Sequence, residues 1–186
     1  MQKNTVKEKR IRMYLVSIYF DDKTNGRIRS MIKQVAEKSG NTFMIDGNVP
    51  PHITVSAFET LDEKAAVEAL EKVVKELRCG ELQWASVGQF FPYVIYTAPV
   101  LNEYLHDMSV KVYESLNSLE GAKISPYYRP FQWLPHTTIG KKLSKEEMKV
   151  AFDVIQNSFG MFKGQVVKIG LAKSNPYREV VNWELS

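Results

Sequence analysis

Two copies of a Pro-His-x-Thr motif, each followed by an amphipathic stretch, constrain the fold of this chain more than any other feature of its sequence. The first copy is Pro-His-Ile-Thr at residues 51–54, and the second is Pro-His-Thr-Thr at residues 135–138. His136 follows His52 by 84 residues in a chain of 186, so the copies lie about half a chain apart. A motif repeated in the same strand and helix setting predicts an internal duplication of the fold.

Hydrophobic periodicity predicts the secondary structure around the motifs. Alternating apolar residues, or clusters of Val, Ile and aromatic residues between turn signals, predict strands. The predicted strands are residues 11–20, 52–58, 82–90, 93–98, 133–139, 165–171 and 179–185. The predicted helices lie at residues 28–36, 62–77, 101–119 and 144–159, with a turn at 21–26 and coil up to about 131. No Gly/Ser linker divides the chain, so the two halves are expected to pack closely.

The composition is typical of a folded protein in a reducing compartment. Hydrophobic residues make up 44% and charged residues 25% of the chain, close to the averages for globular domains. Cys79 is the only cysteine, so no internal disulfide can form, and the apolar run at residues 11–20 is too short to cross a membrane. We therefore expect a soluble cytoplasmic protein with no membrane partner. A basic, flexible tail is expected at residues 1–10 and one bilobal domain at residues 11–186.

The two motifs carry residue types suited to chemistry at phosphorus. Residues two apart on a strand share a face, so His52 projects with Thr54 and His136 projects with Thr138. If the two lobes pack about a pseudo-twofold axis, both polar faces meet in one cleft. A neutral imidazole would then take a proton from the attacking hydroxyl or water, and a protonated imidazole would give one to the leaving oxygen. The threonine hydroxyls would bind the non-bridging phosphate oxygens.

Other uses of these residues fit the sequence less well. A lone strand histidine is more often a hydrogen-bonded structural residue, but two matched copies that use two of only three histidines favour a functional site. The third, His106, is expected to be a surface or packing residue. No zinc-binding spacing, Gly-x-Ser-x-Gly elbow or glycine-rich nucleotide loop occurs. We therefore predict no metal and no cofactor.

The paired motifs resemble the two His-x-Thr/Ser motifs of the 2H phosphoesterase superfamily, which contains the bacterial 2′-5′ RNA ligases and RNA cyclic phosphodiesterases. The order of strands and helices extends this resemblance over nearly the whole chain beyond the tail. It implies an α+β fold: a bilobal pseudo-twofold duplicate with antiparallel sheets lining a central cleft and helices outside. It also implies catalysis by His52 and His136, phosphate binding by Thr54 and Thr138, and no metal requirement.

The activities implied by the resemblance are the opening of 2′,3′-cyclic phosphates to 2′-phosphates and reversible, ATP-independent 2′-5′ joining of RNA ends. Many RNA-ligase members carry an arginine where this chain has Lys141, five residues after His136. An arginine guanidinium can bind a phosphate through two parallel hydrogen bonds, whereas the ammonium group of Lys141 acts as a point charge. Arg129 is a candidate to bind the phosphate instead. Tyr93 and Phe131 are candidate platforms for stacking a base.

Three functional hypotheses stay open at this point. The chain acts on cyclic phosphates of RNA or nucleotides, it acts on a small cyclic-phosphate or 2′-5′-linked nucleotide, or it binds RNA ends without turnover. The net charge of +4 favours a phosphate-bearing partner without requiring one. The sequence does not fix the acid and base roles of the two histidines, the direction of reaction or the oligomeric state.

Overall fold

The structure is a computed structural model that describes residues 12–174 and 176–186. The predicted flexible tail at residues 1–10 therefore lies outside the described residues. The strands are β1 (Arg12–Phe20), β2 (His52–Thr60), β3 (Gly80–Phe90), β4 (Val94–Pro99), β5 (Lys123–Ile124), β6 (Thr137–Lys141), β7 (Phe162–Ser174) and β8 (Tyr177–Glu184). The helices are α1 (Asp22–Ser39), α2 (Phe43–Asp46), α3 (Glu63–Val74), α4 (Glu103–Asn117) and α5 (Lys145–Ser158), with one 3₁₀ turn at Pro126–Tyr128.

All the strands pair antiparallel and form one continuous sheet. Its order is β5-β2-β1-β7-β3-β4-β6, and β8 pairs with the second half of β7. Apart from β5 at one edge, the order β2-β1-β7 read inward from that edge matches β6-β4-β3 read inward from the other edge. The two motif strands, β2 and β6, therefore occupy equivalent positions in the two halves. The predicted α+β class and antiparallel pairing are confirmed, with the strands of both halves joined in one sheet.

The helices show the same duplication and an exchange between the halves. Helix α1 packs against α5 and against β6, whereas α4 packs against α3 and against β2. The first helix of each half therefore supports the motif strand of the other half. This exchange ties the lobes together, and it buries a core of aliphatic and aromatic side chains that includes Trp84, Phe58 and Leu105. None of the helices in the described ranges is both long and apolar enough to cross a membrane.

Helix α1 begins earlier than the sequence suggested. The turn predicted at residues 21–26 is wrong, because the helix starts at Asp22 and includes Gly26. The Asp21 carboxylate caps it by accepting a hydrogen bond from the Thr24 amide at 2.8 Å. At the other end Gly40 adopts a left-handed backbone with φ of 77°, which terminates the helix as predicted.

The second motif strand begins later than predicted. Strand β6 starts at Thr137, so His136 lies directly before the strand, whereas His52 is the first residue of β2. Pro135 has no amide hydrogen for a sheet hydrogen bond. Trp133, in the segment before β6, instead donates its indole N–H to the Thr54 carbonyl oxygen on β2 at 3.0 Å.

Candidate active site

The two motifs meet at one place, although β2 and β6 stand near opposite ends of the strand order. The sheet curves so that the two strands lie in contact, and the bond from Trp133 to Thr54 joins them. Burial is the main cause that lowers the pKa of His52, and the charge of His136 lowers it further, so the two imidazoles are close enough to interact electrostatically. The polar faces of both motifs therefore contribute to one site.

Each motif histidine is oriented by the same hydrogen bond. His52 Nδ1 lies 2.8 Å from the Pro50 carbonyl oxygen, and His136 Nδ1 lies 2.9 Å from the Leu134 carbonyl oxygen. A carbonyl oxygen only accepts hydrogen bonds, so Nδ1 is the donor in both cases. Each neutral imidazole then carries an unprotonated Nε2 that can accept a proton, and each protonated imidazole has an Nε2–H that can donate one.

Both imidazoles are held toward the neutral form in the free protein. Burial lowers the pKa of His52 and of His136, and the bonds to the carbonyl oxygens oppose this effect in part. The positive charges of His136 and Lys141 lower the pKa of His52 further. An anionic phosphate placed between the imidazoles would have the opposite effect, because it stabilises the charged form of each.

The two threonines differ in how tightly they are enclosed. The Thr54 side chain is buried, and its hydroxyl lies 3.5 Å from the Ser17 hydroxyl on β1. It also lies near Tyr128, because burial raises the pKa of Tyr128 and the Thr54 hydroxyl opposes this effect in part. Thr138 is half-buried on β6, opposite Tyr96 of β4. The Thr54 hydroxyl on β2 is therefore enclosed by the protein, whereas the Thr138 hydroxyl on β6 lies closer to solvent.

Aromatic rings surround both histidines. His136 packs against the ring edges or faces of Phe90 and Tyr96, with centroids 4.7 and 5.3 Å away. His52 lies 6.2 Å from the ring of Tyr19, which is its register partner on β1. These rings add to the burial that lowers both pKa values.

Sequence reasoning missed Ser17, Tyr19 and Tyr96 as residues of the site. Ser17 and Tyr19 are two apart on β1, and they pair with Thr54 and His52 on β2. Their alternation within the predicted strand at residues 11–20 was a usable signal, because polar residues at every second position mark one face. Tyr96 carried no such signal, since only the pairing of β4 with β6 brings it beside the second motif.

The additional substrate-binding candidates are dispersed. Lys141 is exposed at the end of β6, close enough for its charge to act on His52. Phe131 is 83% exposed and packs its ring against His106, with centroids 4.2 Å apart. Arg129 is exposed and forms no ion pair with the residues described here. Tyr93 is exposed beside helix α5.

A Lys141→Met variant tests the electrostatic contact between Lys141 and His52. Removal of the positive charge is expected to raise the pKa of His52 in the free protein, because Lys141 lowers it in the native chain. NMR titration of the His52 ring protons measures this pKa directly. Lys141→Arg keeps the charge and serves as the control, and equal pKa values for His52 in all three proteins would contradict the contact.

The sequence matches the family model described as the 2′-5′ RNA ligase superfamily over residues 24–177, which include both motifs. Among curated proteins, none matches the chain by sequence. Across the described ranges, no three His, Cys, Asp or Glu side chains group together as a possible metal site.

Solved structures with the same fold cover nearly the whole chain. Escherichia coli LigT complexed with 3′-AMP superposes with a TM-score of 0.56 at 15% identity, over 95% of this chain and 99% of that one. The same protein complexed with NADP⁺ gives 0.57 at 15% identity, over 94% and 98%. A crystal structure described as a phosphoesterase gives 0.55 at 12% identity, over 94% and 99%. At these identities the likeness establishes the fold.

Proposed function

The chain belongs to the 2′-5′ RNA ligase superfamily, and we propose that it is a metal-independent phosphoesterase that opens 2′,3′-cyclic phosphates of RNA or nucleotides to 2′-phosphates. One observation carries the proposal. Both motif imidazoles bind a backbone carbonyl through Nδ1 in the same way, so each has Nε2 available for proton transfer. Two such groups in one site can supply the general base and the general acid for in-line displacement at phosphorus.

The proposed reaction uses one histidine as base and the other as acid. The base accepts a proton from water as the water oxygen bonds to phosphorus. The bond from phosphorus to the 3′ oxygen breaks, and the acid protonates that oxygen to give a free 3′-hydroxyl beside a 2′-phosphate. Thr54 and Thr138 would donate hydrogen bonds to the non-bridging oxygens as charge accumulates on them.

The same site supports 2′-5′ joining of RNA ends without ATP. An RNA 5′-hydroxyl in place of water would attack the cyclic phosphate, and release of the 3′ oxygen would leave a 2′-5′ phosphodiester. The strain released when the cyclic phosphate ring opens would drive formation of the new bond, in place of ATP hydrolysis. We propose RNA ends or small nucleotides as substrates in the cytoplasm.

A small-nucleotide substrate is the second candidate. The E. coli LigT structures hold 3′-AMP and NADP⁺, so a protein of this fold accommodates single nucleotides and dinucleotides. For this chain the alternative substrate would be a small cyclic-phosphate or 2′-5′-linked nucleotide.

The test of the proposed function is an assay in the presence of a chelator. The purified protein is incubated with an oligonucleotide that ends in a 2′,3′-cyclic phosphate and, separately, with a mononucleotide 2′,3′-cyclic phosphate. We expect a 2′-phosphate product that chelator does not suppress. Turnover of the mononucleotide alone would identify the second candidate, and binding without product from either would identify a non-catalytic RNA-end binder.

The dependence of kcat/KM on pH follows from the lowered histidine pKa values. The base must be neutral and the acid protonated, so kcat/KM peaks between the two pKa values of the free protein. Both lie below 6.5, the ordinary value, because the imidazoles are buried. We therefore expect a bell-shaped profile with its maximum on the acid side of pH 6.5. Rates measured from pH 4.5 to 8.5 check this, and a maximum above pH 7.5 would contradict it.

A further inference from the structure

A second surface feature lies next to the candidate active site but on the other side of the sheet. A groove of about 700 Å³ runs between the tip of the β3–β4 hairpin and helix α5. Gln89 and Phe90 are successive residues of β3, and Phe90 contacts His136 whereas Gln89 lines the groove. Successive strand residues point to opposite faces, so this hairpin groove lies on the other face of the sheet from His136. Phe91, in the turn that follows β3, also lines the groove.

Exposed aromatic side chains form one wall of the hairpin groove. Phe91 is 86% exposed and Tyr93 is 58% exposed, although large apolar side chains are usually buried. Phe152 and Met148 of α5 form part of the opposite wall. Exposed rings of this kind provide faces on which nucleic-acid bases stack, and each stacked base contributes about 1–3 kcal/mol.

Positive charge lies on the facing helix. Lys145 and Lys149 line the groove, are exposed, and stand four residues apart, so they share one face of α5. Neither lysine forms an ion pair within the part of the chain that the structure describes. One acidic residue, Asp153, lines the same groove. The groove therefore combines a net positive charge with stacking surfaces, which together suit a phosphodiester strand better than an apolar peptide.

We propose that the hairpin groove binds the single-stranded RNA segment adjacent to the end that reacts in the cleft. The proposal rests on the proposed function, since it requires a substrate end at His136. A strand whose cyclic phosphate lies between the histidines passes the hairpin at Phe90 and reaches Phe91 on the far side. The bases stack on Phe91 and Tyr93, and the phosphates lie against Lys145 and Lys149.

The test compares an oligonucleotide that ends in a 2′,3′-cyclic phosphate with the corresponding mononucleotide. In a Phe91→Ala/Tyr93→Ala variant, loss of both stacking faces is expected to lower kcat/KM on the oligonucleotide by about 5- to 150-fold for each base that stacks there. The mononucleotide is too short to reach the groove, so its kcat/KM should not change. Both positions are exposed, and thermal unfolding checks that the variant remains folded.

The lysines are tested through salt dependence. A Lys145→Gln/Lys149→Gln variant is expected to reduce the slope of log affinity for the oligonucleotide against log salt by about 1.4, since each single-strand phosphate contact contributes about 0.7. The control is Lys72→Gln/Lys75→Gln at the end of α3, the helix equivalent to α5 in the other half. That variant removes the same charge and should keep the native slope.

The outcomes separate this proposal from the proposed function. Equal losses on both substrates, or no loss on either, would overturn the groove proposal, as would aromatic variants that alter only the oligomeric state. If the native protein opens neither substrate, the proposed function fails while the groove is still tested by fluorescence anisotropy with a 3′-phosphorylated oligonucleotide. Weaker binding by the Phe91→Ala/Tyr93→Ala variant would then support RNA in the groove, and unchanged binding would exclude it.

Discussion

Replacement of either motif histidine by alanine is expected to lower kcat for cyclic-phosphate opening by about 10²–10⁴-fold, the usual contribution of a positioned general acid or base. The same loss is expected for His52→Ala and His136→Ala, because the displacement needs a proton acceptor and a proton donor in one transition state. KM should change much less than kcat, since phosphate binding also involves the threonine hydroxyls.

Asparagine variants separate the loss of chemistry from the loss of structure. The side-chain amide of His52→Asn or His136→Asn can still donate to the carbonyl oxygen that now accepts from Nδ1. Neither variant has a group at the position of Nε2. We therefore expect the asparagine proteins to be as inactive as the alanine proteins while their unfolding free energies stay closer to that of the native chain, as measured by urea denaturation.

The double variant His52→Ala/His136→Ala and a variant of the third histidine complete this test. When two residues act in one step, the effects of their substitutions on kcat are not additive, so the double variant should be little slower than either single variant. His106→Asn is the matched control, because His106 lies on α4 and packs against Phe131. Retained turnover in either single alanine variant would exclude the two-histidine mechanism.

The duplication of the fold could be predicted because the Pro-His-x-Thr motif and the helix that follows it occur twice in the sequence. The continuous sheet could not, because it depends on β7 lying between β1 and β3, a pairing of segments more than 60 residues apart for which local sequence gives no signal. The exchange of α1 and α4 between the halves was hidden for the same reason. Apolar periodicity tells which face of a helix is buried and leaves open which strand it covers.

The catalytic candidates could be predicted and their surroundings could not. His52 and Thr54 are marked by their motif, and their shared face follows from strand geometry. Tyr128 comes from a segment predicted as coil, and only the folded chain places it near Thr54. The bond from each histidine to a carbonyl two residues before it depends on the backbone path after Pro50 and Leu134, which residue types alone do not specify.

Substitution of the two motif threonines by valine is expected to have similar effects on activity and different effects on stability. Thr54→Val and Thr138→Val each remove one donor to the phosphate oxygens, so each is expected to lower kcat by about 10²–10³-fold. Valine matches threonine in shape, which keeps the packing of both strands. Their effects on stability should differ, because the Thr54 side chain is buried and the Thr138 side chain is half-buried.

Loss of the Thr54 hydroxyl leaves a buried partner behind. The buried Ser17 hydroxyl loses the group that it contacts, and an unsatisfied buried polar group costs about 1–3 kcal/mol. We expect Thr54→Val to lower the unfolding free energy by that amount and Thr138→Val to leave it nearly unchanged. Urea denaturation measures both values, and single-turnover kinetics measure the chemical step.

Serine variants test whether loss of the hydroxyl causes the lower kcat of the valine variants. Thr54→Ser and Thr138→Ser keep the donor and remove one methyl group, so both should retain most of the native kcat. Native kcat in Thr54→Val would show that the Thr54 hydroxyl does not touch the reacting phosphate. In that case the Thr54 hydroxyl would serve to join β2 to β1 through Ser17, and phosphate binding would depend on Thr138 and the charge of Lys141.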